Sequence, residues 1–384
     1  MQANNSLTLQ GNSHARLLIS ESQRGADMFY ATGFRAPDDF VYLEHDGQKI
    51  LLLHDREIDR GRREASGDQV ISWSLVAKEA GEELQHQPSD AYVISFFIKI
   101  RGISHLEVPA TFSLSLGRSL EALECFVETR EGLFFPERAL KKPQEIEWLR
   151  RASQITEVGM ERAIEILRKS RIGKNNALKW SGKLLTSERL RHEVEGAIYR
   201  AGGIPAGDSI IAGGLQACDP HERGHGILHA HQLIILDLFP RDAQSGYYGD
   251  LTRTVVRGKA SEHHHHLWKT CLEGQQLAFN KIKPKASGKK IDEAVRQFFT
   301  QLGYPTEQKE GRWSGFFHGT GHGLGLELHE EPRFGKAILK SGHVFTIEPG
   351  LYIPGLGGVR HEDVITVTPS GYQLLSHFPK ILEI

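Results

Sequence analysis

Two pairs of acids in this chain repeat one arrangement. Asp237 lies in the apolar run QLIILDLFP and Asp250 in GDLTRTVVRG, thirteen residues on; Glu348 lies in HVFTIEPGLY and Glu362 in GGVRHED, fourteen residues on. Each pair reads as the two arms of a β-hairpin, with loop centres near Ala243 and Gly355. The acids of a pair are then expected to face each other, where opposed Cβ atoms stand about 4.5 to 5.5 Å apart. Like charges so placed are destabilising, and the runs around Asp237 and Glu348 are apolar enough to be buried. Arg253 and Arg360 lie close enough in sequence to build a purely structural ion-pair network. Divalent cations are the stronger reading, because four converging carboxylates suit hard ions bound through oxygen. The segment FFHGTGHGLGLELHE adds His318, His322 and His329 on a glycine-rich backbone that permits close approach and forbids a regular helix. One of the three is expected to be a ligand. A single imidazole among four carboxylates moves the preference from Mg²⁺ toward Mn²⁺, Co²⁺, Fe²⁺ or Zn²⁺, and the absence of thiolates argues against structural zinc.

The elements that must position these groups follow from length and pattern. A chain of 384 residues exceeds the size at which single cores stop growing, so two domains are expected. From residue 15 to 110 the apolar segments ARLLIS, DFVYLEHDGQKILLL, QVISWSLV and AYVISFFIKI alternate with polar helical stretches, the rhythm of a small α/β domain. Asp46-Gly47 reads as a hairpin turn. After Pro136 the pattern becomes helical, with Ile146, Leu149, Ile155, Val158, Ala163, Ile166 and Leu167 on one stripe. Further helices are expected over 187–200, ending at Gly202-Gly203, and over 262–281 and 291–302. The run His263 to His266 reads as a solvated helix start, since adjacent helical positions point in different directions. No repeat of fixed period is visible.

Composition excludes some partners. Lys and Arg number 47 against 48 Asp and Glu, so no global positive field draws in nucleic acid or anionic membrane. Cys125, Cys218 and Cys271 are too scattered for a disulfide framework, which points to a reducing cytosol. The first twenty residues carry no apolar targeting run and the longest apolar stretches are far short of a membrane span, so a soluble cytoplasmic protein is expected.

Asp237, Asp250, His322, Glu348 and Glu362, in that order, resemble the five ligands shared by the pita-bread metallopeptidases: methionine aminopeptidase, aminopeptidase P and prolidase. GDLTRTVVRG, GTGHGLGLELHE, IEPGLY and GGVRHED carry the resemblance, and ADMFYATGFRAPDDFVYLEHDGQKILLL resembles the domain that precedes the catalytic one in prolidase, aminopeptidase P and creatinase. The implied fold is α+β, with an N-terminal creatinase-like α/β domain over 1–135 and a C-terminal pita-bread domain over 136–384. The implied chemistry is hydrolysis of Xaa-Pro bonds, as an Xaa-Pro dipeptidase or aminopeptidase, by a water bridging two divalent ions per subunit, Mn²⁺ foremost. By the same resemblance Glu348 accepts the proton of that water, His221 and His329 contact the substrate and stabilise the tetrahedral intermediate, His318 lines the substrate pocket, and Arg360 helps hold the carboxylates or binds a substrate carboxylate. The expected partners are small proline-containing peptides and a second copy in a homodimer. Two departures stand out. His221 sits in ACDPHERGHGILHAHQ without the aromatic residue that usually follows the family's substrate-side histidine, and KNNALKWSGKLLTSERL makes an extended connection after the first catalytic-domain helix. An aminopeptidase of other specificity on the same centre, and a binding module without catalysis, are the alternatives.

Overall fold

The computed structural model describes residues 14–207 and 209–384; the first thirteen residues, part of the stretch read above for targeting signals, lie outside it. The chain divides into two compact units, Met1–Arg138 and Ala139–Ile384.

In the first unit a six-stranded sheet runs in the order Gln69–Ser72, Gln48–Leu53, Phe40–His45, His14–Ser20, His105–Pro109, Phe126–Arg130. Period-two alternation puts Leu17, Val41, Leu43, Ile50 and Leu52 in one core and Leu18, Tyr42, Leu51 and Leu53 in another, so both faces are covered. Asp46 and Gly47 both take positive φ, 48° and 75°, and turn His45 back onto Gln48, as an Asp-Gly hairpin does. Two of the apolar segments depart from the strand reading. AYVISFFIKI is the helix Asp90–Lys99, capped by Ser89, whose hydroxyl accepts from Tyr92 N–H. In QVISWSLV only Gln69–Ser72 is strand, and Ser72 caps the helix Trp73–Leu84. A short, nearly continuous apolar run has no period that separates buried strand from buried helix, and here the capping serines decide.

The second unit is built from two similar halves. In the first half Pro143–Lys169 and Ser187–Arg200 pack on strands Ile210–Gly213, Leu233–Leu238 and Leu251–Val256. In the second half Glu262–Lys281 and Gly288–Gln301 pack on Val344–Ile347, Gly350–Ile353, Gly357–Arg360 and Asp363–Val367. Each half thus has its own helix pair and core, a repeat of architecture that leaves no repeat in the sequence. Pro143 opens the long helix, where its missing N–H costs nothing, and Lys142 N–H is bound by Glu145 Oε2 at 2.7 Å. Leu149, Ile155, Ala163, Ile166 and Leu167 are buried as the stripe requires, but Val158 is exposed. The buried face turns instead through Ser153, Thr156 and Gly159, small residues that let the helix lie close to its neighbours.

The helix Ser187–Arg200 spans the expected residues, and Gly202 at φ 88° ends it. The extended connection before it folds into three short strands, Arg171–Ile172, Leu178–Trp180 and Lys183–Leu184. The histidine run does open the helix Glu262–Lys281, but not wholly in solvent. His264 is buried, its N–H bonds the Ser261 hydroxyl at 3.1 Å, and its Nδ1 faces Ser261 N–H. Among the described residues no helix is long and apolar enough to cross a membrane.

Candidate metal centre

Alternation along the strands of the second unit decides which side chains meet. Ile234, Leu236 and Leu238 point into the core beneath the helices, which sends Asp237 to the opposite, inner face. Leu251 and Val255 likewise leave Thr252, Thr254 and the preceding Asp250 on that face, and Phe345, Ile347, Ile365 and Val367 in the other core leave Glu348, Arg360 and Glu362 there. All four acids therefore converge from two hairpins.

Register corrects one expectation. In the first hairpin Asp237 pairs with Thr252, not Asp250. Pairing continues through Pro240 with Gly249 and Asp242 with Tyr247, so the turn is centred one residue beyond Ala243. Asp242 sets this turn by accepting from Gln244 N–H, Ser245 N–H and the Ser245 hydroxyl. Asp237 and Asp250 are diagonal neighbours on one face, where side chains are farther apart than in a direct pair. In the second hairpin Ile347 pairs with Asp363 and Gly350 with Arg360, which places Glu348 opposite Glu362 as expected. Regular pairing lapses at these two acids. Glu348 N–H goes to Thr320 O at 2.7 Å and Glu362 N–H to Thr252 O at 3.1 Å, tying the hairpin to the histidine loop and to the first half.

The site that results is buried and acidic. Asp250, His322 and Glu362 bring one ligand atom each within 4.8 Å of one another. His322 Nε2 stands 3.5 Å from both Asp250 Oδ2 and Glu348 Oε1. Burial, then the neighbouring His329, holds the His322 imidazole down to about 3, so these are not ion pairs, and 3.5 Å is long for a hydrogen bond. His322 Nδ1 faces Gly323 O at 3.1 Å, which fixes the proton there and turns the Nε2 lone pair toward the acids.

Burial, then Glu362, Asp237 and Glu348, raises the Asp250 carboxyl well above its ordinary range. Burial followed by Glu348 and Asp237 does the same to Glu362. Glu348 is pushed up to about 7, chiefly by burial and against the pull of Arg360. Asp237 Oδ2 receives Arg360 Nη2 at 2.6 Å, while its buried Oδ1 meets no donor of the protein. Carboxyls crowded together so that their charged forms are disfavoured, a neutral imidazole and one orphaned carboxylate oxygen fit divalent cations.

All nine residues singled out from the sequence line one cavity of about 600 Å³. His221 lies exposed at its rim, and His329 stacks edge-on over His322 with ring centroids 4.3 Å apart. His318 Nε2 meets the Tyr352 hydroxyl at 2.8 Å and its Nδ1 faces Gly319 O at 2.9 Å; burial and then Arg360 hold it down to about 3. Arg360 is no surface residue. It is buried, and it donates to Tyr352 Oη at 2.7 Å and to Thr252 as well as to Asp237. Arg253 serves elsewhere, on Asp363 Oδ1 at 2.6 Å and the Glu362 carbonyl. Tyr352, which joins Arg360 to His318, and Thr252, whose hydroxyl donates to Glu362 Oε2 at 2.7 Å, escaped the sequence reading. Neither carries a charge or an unusual spacing, and only the three-dimensional register brings them to the acids.

Residues 147–369 match the family model described as Metallopeptidase family M24. An Xaa-Pro dipeptidase from Pyrococcus furiosus is 33% identical over 252 residues, a match that spans 62% of this chain and 63% of that relative. Among solved structures, an Xaa-Pro dipeptidase from Bacillus anthracis superposes with a TM-score of 0.79 at 26% identity, covering 96% of this chain and 95% of the other. The prolidase from Pyrococcus horikoshii gives a TM-score of 0.78 at 24% identity over 96% of this chain and 95% of its own, a likeness of fold.

Proposed function

Since the chain belongs to metallopeptidase family M24, we propose that it hydrolyses Xaa-Pro peptide bonds with the aid of two divalent metal ions, Mn²⁺ foremost. The observation that carries the reading is the cluster of buried Asp250 and Glu362 with half-buried His322 and Glu348, with the orphaned Oδ1 of Asp237 beside it. Those five residues would hold the ions. Bound there, divalent ions supply Lewis acidity that activates water and polarises a carbonyl near neutral pH. Glu348 takes a proton from the attacking water and returns it to the prolyl nitrogen as the C–N bond breaks. His329 and His221, on the cavity lining, receive the substrate and donate to the carbonyl oxygen as negative charge builds on it. Arg360 holds Asp237 in place through its bond at 2.6 Å, and this favours the carboxylate-holding role for it over direct substrate binding. Partial burial of the cluster limits its contact with bulk water and strengthens each of these interactions.

Proline specificity is supported by the Xaa-Pro dipeptidases among the relatives. A bond to proline is a tertiary amide without an N–H, so a site that reads substrate through carbonyls and termini suits it. We extend the reading to a cytoplasmic homodimer, on the resemblance and on three thiols that are buried and unpaired.

The test is hydrolysis of an Xaa-Pro dipeptide, an Xaa-Pro-Yaa tripeptide and a Met-Ala peptide by chelator-stripped protein, with and without added Mn²⁺. The expected result is metal-dependent release of Xaa from a proline substrate, abolished in Glu348→Ala. Turnover of the Met-Ala peptide alone would replace the specificity, and no turnover of any peptide with any divalent ion would overturn the reading.

A further inference from the structure

Outside the carboxylate cluster, the second unit buries another opposite-charge pair. Lys141 Nζ lies 2.5 Å from Glu330 Oε1, and both side chains are 2% exposed. A buried ion pair is weak evidence of stabilisation, because the desolvation of two charges offsets their attraction and an apolar pair of similar size serves stability as well or better. The geometry around the pair offers a different reason for it. Glu330 directly follows His329, and its backbone N–H donates to Gly323 O at 3.0 Å, closing loop 323–330. Glu330 Oε2 then accepts Glu327 N–H at 3.1 Å from inside that loop. Gly325 is packed so closely that a Cβ there would fall 2.2 Å from Glu330 Oε1. At the other end, Lys141 is held by its own backbone, its N–H donating to Gly342 O at 2.8 Å two residues before strand Val344–Ile347. The lysine is thus anchored at the base of the strand that leads to Glu348, and it reaches into a glycine-rich loop that belongs to no helix or named strand.

We propose that the Lys141–Glu330 pair is a positioning device for His329: it fixes loop 323–330 so that the imidazole stands over His322 and faces the cavity. Neither residue itself lines the cavity, so both act through the loop. The inference rests on the proposed reaction only for the consequence of misplacing His329. Displacement of a substrate-contacting group by an ångström is enough to cost about a hundredfold in rate.

The experiment compares wild type with Lys141→Met, Glu330→Gln and the double variant Lys141→Met/Glu330→Met. Three readouts are taken: hydrogen exchange of the amides in 323–330, Mn²⁺ stoichiometry, and kcat and KM on an Xaa-Pro dipeptide. Both single variants should exchange faster in that loop, keep their full Mn²⁺ content, and lose between about ten- and a hundredfold in kcat. The double variant should recover thermal stability while its loop stays loose and its kcat stays low, which a merely structural pair would not do. Unchanged loop exchange in the folded variants, or a double variant with wild-type kcat, would overturn the proposal. Should Lys141→Met fail to fold, Glu330→Gln and the double variant decide. If wild type turns over no proline peptide, the reaction reading fails while the exchange measurement still judges the positioning.

Discussion

Asp250 is a buried carboxyl whose neighbours are mainly other carboxyls. Burial first, then Glu362, Asp237 and Glu348, raises its pKa well above the ordinary 3.8. A raised acid binds more protons in the folded than in the unfolded protein above pH 3.8, so in the metal-free state it subtracts stability progressively as pH climbs. Half-buried neutral histidines, His318 and His322 among them, are held down to about 3 and act with the opposite sign below pH 6.5, which makes total stability against pH a poor probe. The difference between Asp250→Asn and wild type isolates the one group. In metal-free protein the variant should gain on wild type steadily from about pH 4 upward, as read by urea unfolding. Adding Mn²⁺ at pH 7 should reverse the order, since the cation compensates Asp250 and has less to bind in the variant. A difference that is flat with pH would mean that Asp250 is solvated rather than crowded. The residue types at this scale were legible: the five expected ligands and four accessory residues line one cavity. Tyr352 and Thr252 were not, because an uncharged side chain shows its partner only after folding.

At the scale of elements, the site depends on how closely strands and loops approach. The loop that carries His322 lies against strand Val344–Ile347, with Thr346 N–H donating to His322 O at 2.9 Å and His322 N–H to the Thr346 hydroxyl at 3.1 Å. Gly321 makes that approach possible. A Cβ there would stand 1.9 Å from Thr346 O, and the obstacle is backbone, which cannot swing aside. Gly321→Ala should therefore push the loop off the strand, break both bonds and move His322 away from Glu348. The expected outcome is a fall in Mn²⁺ affinity of about tenfold or more, roughly 1.4 kcal/mol, with helix content unchanged. Titration calorimetry and circular dichroism would check it, and wild-type affinity would show that the loop is not what sets the ligand geometry. Helix Ser187–Arg200 and the stripe on Pro143–Lys169 could be read from periodicity and capping. Hairpin register could not, because the first turn is set by Asp242 and Ser245 one residue beyond the centre that symmetry suggests.

For the whole molecule, the two compact units have separate cores, and all five expected ligands belong to the second. Metal that binds only the folded second unit should stabilise that unit alone. At about a hundred times the dissociation constant, each ion adds about 2.7 kcal/mol. Calorimetry of the chelated protein should show two transitions, of which added Mn²⁺ raises one and leaves the other in place. A single transition that shifts as a whole would mean that the units unfold as one.

The sequence by itself determined which charged residues and imidazoles gather at the candidate site, because a carboxylate or imidazole in an apolar run is costly wherever it lands and so announces a compensating partner. It also determined the long helices, whose period of 3.6 repeats enough times to be unambiguous. Only the tertiary structure decided that Asp237 sits diagonal to Asp250 and that Arg360 is buried against Asp237. The first follows from a turn whose Asp242–Ser245 bonds form on folding, and the second from a partner 123 residues away along the chain, of which local pattern carries no record.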